Sequence, residues 1–189
     1  MKKFFLLLMA AATFNANAAY ISITTDKDTY NVGETITATV RAVELSASGV
    51  QTYFFGYDIS VFVDSLLVSF DPTTVMDLGA IGVPLFGPLN DSSANSASLK
   101  SSTFGPVELF QAGKTEVDIF SFALVALSSG TVDLSFAKAE LSNNIGFNLF
   151  LEAPSGTSFE IAQVPAPGTF ALSLLALGGM FFARKRAKS

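Results

Sequence analysis

Three carboxylates, Asp58, Asp64 and Asp71, punctuate the apolar stretch at residues 53–71. Two carboxyl groups held roughly 5–9 Å apart across a cleft can cleave a glycosidic bond. Asp58 and Asp71 are the pair that such a cleft would have to bring together, and sequence spacing alone does not do so. Little else in the chain supports catalysis. There is no histidine and no cysteine, which excludes a Ser-His-Asp triad, a thiol nucleophile and the commonest metal ligand. The nearest approach to a nucleophile elbow, Gly156-Thr157-Ser158-Phe159-Glu160, lacks the closing glycine and precedes a strand pattern. Asp26 and Asp28 begin a calcium-loop spacing that the following residues do not continue. The acids therefore read as strand-end and wet-face residues. The expectation is no enzyme, no cofactor and no metal site, with calcium only a weak possibility. A secreted hydrolase is the least supported of the function classes.

Binding chemistry is the stronger alternative. Tyr53, Phe54, Phe55 and Tyr57 cluster around Gly56. Exposed, these rings would stack on sugar faces or meet a protein. Buried, they are ordinary core. Both readings stay open on sequence. Nucleic acid is excluded by charge. Of the 11 basic residues, Lys2, Lys3 and four near the C-terminus lie outside residues 19–167, which leaves five against all 16 carboxylates. No lysine or arginine occurs from Ala42 to Leu99, and a phosphate backbone demands positive charge.

Elements at both ends frame this body. Lys2 and Lys3 precede the apolar run 4–12, and Ala16-Asn17-Ala18 fits a small-x-small cleavage site with the cut before Ala19. Residues 1–18 thus read as a secretory signal peptide, implying Sec-type export. At the other end Val164, Pro165, Ala166 and Pro167 form a Pro-spaced turn, followed by an uncharged run 168–183 and then Arg184, Lys185, Arg186 and Lys188. Its Leu, Met and Phe residues surround a helix rather than line one face. About sixteen residues of helix rise roughly 24 Å, slightly short of a bilayer core of roughly 30 Å. The span crosses if the turn sits at the interface and the basic side chains snorkel. The basic cluster then stays on the cytoplasmic side.

Residues 19–163 read as one domain, large enough for its own core and unstapled by disulfides. Ile21 to Thr25 alternates, as does Glu34 to Glu44, with Ile36, Ala38, Val40 and Ala42 on one face. Within residues 53–70 the apolar parity changes from Ile59, Val61 and Val63 to Leu66, Val68 and Phe70, which predicts a bulge or bend near Asp64–Ser65, or a strand buried on both faces. Asp71-Pro72-Thr73-Thr74 predicts a turn, and 75–81 a further short strand. Gly and Pro punctuate 82–106, predicting a long surface loop with one or two short strands. A strand is expected at 107–110. Residues 116–127 and 131–139 flank Ser128-Ser129-Gly130 as a hairpin. Closing strands are expected at 147–151 and 158–162. No 3.6-residue pattern of helix length appears. Many short strands with Gly/Pro turns imply an all-β sandwich.

The tail resembles the PEP-CTERM sorting signal of exported bacterial proteins, which joins a Pro-Glu-Pro element, a short membrane helix and an Arg-rich end. Ala166 stands where that family has glutamate. The resemblance implies an exosortase-like membrane peptidase as a processing partner, with transient anchoring followed by release to the cell surface or beyond. In the body, the segments GETITATVRA, YDISVFVDSLLVSFDPTTV and IFSFALVALSSGTVDLSFAKAEL are similar to cohesin-like modules, which are jelly-roll sandwiches. Phe70-Asp71-Pro72 matches their aromatic-Asp-Pro turn. Together the resemblances imply a jelly-roll β-sandwich followed by a single C-terminal hydrophobic helix. The implied role is non-catalytic, in cell-surface or extracellular-matrix adhesion or assembly, with an exopolysaccharide or an envelope protein as partner. A carbohydrate-binding module using the 53–57 aromatics is the alternative.

Overall fold

The computed structural model describes residues 19–47, 50–64, 66–149 and 151–163. The signal-peptide residues Ala16 and Ala18 lie outside the described residues. So do the whole sorting motif and the expected C-terminal helix (residues 164–189). Among the described residues no helix is long and apolar enough to cross a membrane.

The first strands are β1 (Tyr20–Thr25), β2 (Thr29–Asn31), β3 (Thr35–Val43), β4 (Ser46–Ala47) and β5 (Val50–Gln51). The middle of the chain forms β6 (Gly56–Phe62), β7 (Val68–Phe70), β8 (Met76–Asp77), β9 (Phe86–Asn90) and β10 (Ser96–Ser102). A single-turn helix α1 (Glu108–Gln111) precedes β11 (Glu116–Ala126), β12 (Gly130–Ser142) and β13 (Thr157–Ala162). Two sheets result. One runs β1-β3-β11-β7, with β8 also on β11; the other runs β2-β13-β12-β6-β10-β9. β4 and β5 pair separately.

Alternation drives the layering. Ile36, Ala38, Val40 and Ala42 of β3 are fully buried, as their spacing predicts, and β3 lies antiparallel between β1 and β11. The opposing sheet turns Ile59, Val61, Leu99, Val132, Leu134 and Phe159 inward to the same core. Edge-to-face ring pairs fix its ends: Tyr30 with Phe159 at 5.3 Å, and Phe70 with Phe122 at 5.7 Å. In β11 the register shifts between Asp118 and Phe120. A bulge there turns both Ile119 and Phe120 inward.

The parity change after Val63 has a different cause from a bulge within one strand. β6 belongs to the six-stranded sheet and β7 to the five-stranded one, so the chain crosses the sandwich between them and the inward face reverses. The expected hairpin at 128–130 is corrected for the same reason. β11 and β12 lie in opposite sheets, and the connection arches over the core. Its amides at Leu127 and Ser128 donate to the Leu67 carbonyl rather than across a two-strand ladder. The strand expected at 107–110 is instead helix α1, with Val107 as its N-cap residue and Gln111 buried at its end. Among the described residues of 147–151, Asn148 alone makes a bridge, to Ser142. The loop expected at 82–106 does contain two strands, β9 and β10, and the turn at Asp71 is a short 3-10 segment capped by the Asp71 carboxylate.

Candidate functional site

The outer face of the six-stranded sheet is ordered by cross-strand register. Asp58 of β6 sits opposite Lys100 of β10 on one side and Glu140 of β12 on the other, and Lys100 faces Leu89 of β9. The row above reads Ser142, Gly56, Ser102 and Phe86. Below Asp58, Ser60 is flanked by Lys138 and Ser98, and Phe62 by Ser135 and Ser96. A register shift between Phe136 and Lys138 swings Lys138 onto this face.

These positions form a fixed ion cluster. The Lys138 Nζ lies 2.7 Å from Asp58 Oδ2 and 3.3 Å from Glu140 Oε2, and the Lys100 Nζ lies 3.2 Å from the same Asp58 oxygen. Partial burial pushes the Asp58 carboxyl up, but hydrogen bonds from Lys138 and Lys100 outweigh it and hold the group below its usual range. Lys138 is raised, first by its hydrogen bond to Asp58. Beside the cluster lies a trough of about 340 Å³, walled by Asp58, Lys100, Ser102, Lys138, Glu140 and Ser142. On the same sheet Phe62, Phe86 and Leu89 are each at least half exposed. Firmly placed charges of both signs with apolar side chains at the margin suit a complementary protein surface.

They do not suit acid–base chemistry. Asp58 is ion-paired to two ammonium groups that hold its carboxyl below the usual range, which disfavours a general-acid role. Asp71 follows β7 in the opposite sheet, and its Oδ1 accepts from the amide and hydroxyl of Thr73. Asp64 Oδ1 caps the Leu66 amide. Asp58 and Asp71 therefore hold separate parts of the structure and do not share a cleft. Asp26 is likewise engaged, accepting from the Tyr30 hydroxyl and the Thr37 amide. Among the described residues no group of three His, Cys, Asp or Glu is placed to hold a metal.

The aromatic cluster divides between core and margin. Phe54 and Tyr57 are buried, while Tyr53 and Phe55 are half-buried and pack on the core. Phe54 is fastened from both sides by the buried Gln111 amide, whose Oε1 accepts from the Phe54 N–H at 3.0 Å. Its Nε2 donates to the carbonyls of Phe54 and Ala80. The Tyr57 hydroxyl is buried, and burial followed by the nearby Asp77 carboxylate pushes its ionisation upward. Ala19 is the first described residue. It is buried, and its carbonyl accepts the Glu152 amide. A larger recess, about 460 Å³, lies at the edge of the other sheet beside Arg41. That guanidinium is already spanned by Glu116 and Asp118, each at 3.0 Å. Lys100, Lys138, Glu140 and Leu89 were not singled out from sequence. Only the strand register brings them to Asp58.

No protein-family model and no curated protein matches the chain. Solved structures do. A cohesin module from a Clostridium perfringens family 33 glycoside hydrolase superposes with TM-score 0.56 at 13% identity, covering 78% of this chain and 99% of that one.

The fold is a cohesin fold.

A non-cellulosomal cohesin from the archaeon Archaeoglobus fulgidus matches with TM-score 0.54 at 12% identity, over 82% of this chain and 96% of that one. A Clostridium thermocellum type I cohesin, solved in a cohesin–dockerin complex, matches with TM-score 0.52 at 10% identity, over 77% and 95%. At these identities the likeness is one of cohesin architecture, and it spans nearly the whole of each matched chain.

Proposed function

We propose that the protein is a non-catalytic interaction module, exported to the cell surface or extracellular matrix. In this reading it contributes to adhesion or matrix assembly by gripping another protein through the outer face of its six-stranded sheet. The observation that carries the reading is the Asp58–Lys138–Lys100–Glu140 cluster on a sheet that also exposes Phe62, Phe86 and Leu89. The cohesin fold supports it, since one similar module is described in complex with a dockerin. The N-terminal leader and the PEP-CTERM-like tail support export through a Sec-type route and processing by an exosortase-like peptidase. An envelope protein fits the face better than an exopolysaccharide does, because Phe54 and Tyr57 of the proposed sugar platform are committed to the core.

A photo-crosslinking side chain placed at Phe62 or Leu89 should capture a discrete envelope protein in cells. The same group at Thr37, on the outer face of the other sheet, should capture none. Capture from Thr37 alone would overturn the assignment of the face. Glycan binding that disappears on Tyr53→Ala, without loss of folding, would favour the carbohydrate-binding alternative instead.

A further inference from the structure

The domain has two distinct ends. Ala19 enters at one, where β1 begins opposite Val43 of β3. Helix α1 caps that same end through Gln111 and Phe54. The described chain leaves at the other end, at Gln163, one residue beyond Ala162 of β13. Here the turns after β2, after β6 and after β11 converge. The Val32 amide donates to Ala162, that of Gly33 to Ala126, and those of Leu127 and Ser128 to Leu67. Gln163 shares a recess of about 450 Å³ with Val32, Leu127, Ser128 and Ser129. Leu66, 81% exposed, adjoins it, because the Leu66 carbonyl accepts from the Ser128 hydroxyl. Leu127 and Val32 are also exposed. The end surface is thus built of apolar side chains and small hydroxyls. The carboxylates beside it are turned to other work: Asp64 caps Leu66, and Glu34 accepts from Asn31 and lies 3.6 Å from Lys27.

The sequence beyond Gln163 decides what can cover this surface. Four residues, 164–167, separate Gln163 from the uncharged run 168–183. Fully extended, four residues reach at most about 14 Å. On the anchored-export reading, a span beginning at residue 168 would hold this end of the sandwich within that reach of the bilayer. We propose that the Val32–Leu66–Leu127 end is a lipid-contacting surface. It rests on the phospholipid headgroup layer while the tail is still attached, and stands the sandwich with its six-stranded face to the side and helix α1 farthest from the membrane. Leucine and valine side chains gain from the apolar boundary of the headgroup layer, and the Ser128 and Ser129 hydroxyls find headgroup partners there. The inference rests on the anchored-export reading above.

The absence of cysteine makes the test clean. The chain from Ala19 to Ser189 is reconstituted into vesicles of phosphatidylethanolamine and phosphatidylglycerol. Single cysteines replace Leu66, Leu127, Phe104 or Ile145, each carrying an environment-sensitive fluorophore. Spin-labelled lipids should quench the labels at Leu66→Cys and Leu127→Cys strongly, and leave those at Phe104→Cys and Ile145→Cys bright. If the protein floats with the vesicles but the Leu127→Cys label is not quenched, the lipid-contacting surface is wrong while the anchor stands. If the protein does not float, the anchor reading itself fails. If the Leu127→Cys label is as blue-shifted in detergent-free aggregates without lipid as in vesicles, the tail covers this surface and the proposal is overturned. Circular dichroism of each variant confirms that it is folded.

Discussion

Lys138 reaches the Asp58 carboxylate at 2.7 Å across 80 residues of sequence. Strand pairing alone brings them together, since β12 lies directly beside β6. The contact organises the whole outer face, because the same Asp58 oxygen also receives Lys100.

The pH dependence of this cluster follows from its direction of shift. A carboxyl held below its ordinary 3.8 in the folded chain stabilises the fold at pH values above that figure. The contribution is lost as pH falls through the lower, folded value. Urea midpoints measured between neutral and strongly acidic pH should fall less steeply for Asp58→Asn than for the parent. Because the cluster is solvent-exposed, the loss at neutral pH should be small. Partner capture at the face should drop much more than stability does, because Lys100 and Lys138 are left side by side without their shared carboxylate.

Gly56 is a position where a side chain has no room. A Cβ there would stand 2.6 Å from the Ser142 hydroxyl and 3.1 Å from the Ser101 carbonyl. Gly56→Val should therefore destabilise the domain by about 1–3 kcal/mol through overpacking, read as a lower urea midpoint. Where the variant still folds, displacement of Ser142, which lines the trough, should weaken partner binding.

Gln111 makes three buried hydrogen bonds, two of them to the Phe54 backbone. Gln111→Ala strands those groups away from water, at a cost of about 3 kcal/mol. Denaturant unfolding would show the loss, and amide exchange at Phe54 should accelerate. An unchanged exchange rate at Phe54 would mean that water replaces the side chain.

The aromatics at 53–57 should separate by role. Phe54→Ala should cost about 3–5 kcal/mol, as for a fully buried ring, whereas Tyr53→Ala should cost less because Tyr53 is only half-buried. Equal effects on stability for the two rings would contradict their different burial.

Mass spectrometry of the mature protein checks the two ends. The expected N-terminus is Ala19 and the expected C-terminus lies near residues 165–168 of the sequence. A chain that still ends at Ser189 in the extracellular fraction would rule out tail processing.

Much of the fold was legible because alternation reports burial directly. The strands at Ile21–Thr25 and Glu34–Glu44, the Asp71-Pro72 stop and the inward face of β3 follow from residue spacing. The hairpin expectation failed because Ser128-Ser129-Gly130 is chemically suited both to a tight turn and to an arch. Which of the two forms depends on partners for β11 and β12 that lie far away in sequence. Helix α1 was missed because four residues carry no helical period. The candidate site was the least legible part. Asp58 was visible as a carboxylate on a wet face, but nothing local to it announces Lys100, Lys138 or Leu89. The aromatics were legible as a cluster with core and surface both open, and the structure divides them, Phe54 and Tyr57 buried and Tyr53 and Phe55 partly so.

The position of β13 has a consequence for how such a chain can come into being. β13 lies between β12 and β2, and its pairing with β2 joins Thr29 to Glu160. A chain emerging from its N-terminus, whether from a ribosome or through a pore, leaves β2 without a neighbour until almost the last residue of the domain is out. Contacts of such long reach form slowly. The β2–β13 seam is therefore completed last, after the partners for the β3–β11 and β6–β12 pairings are already present.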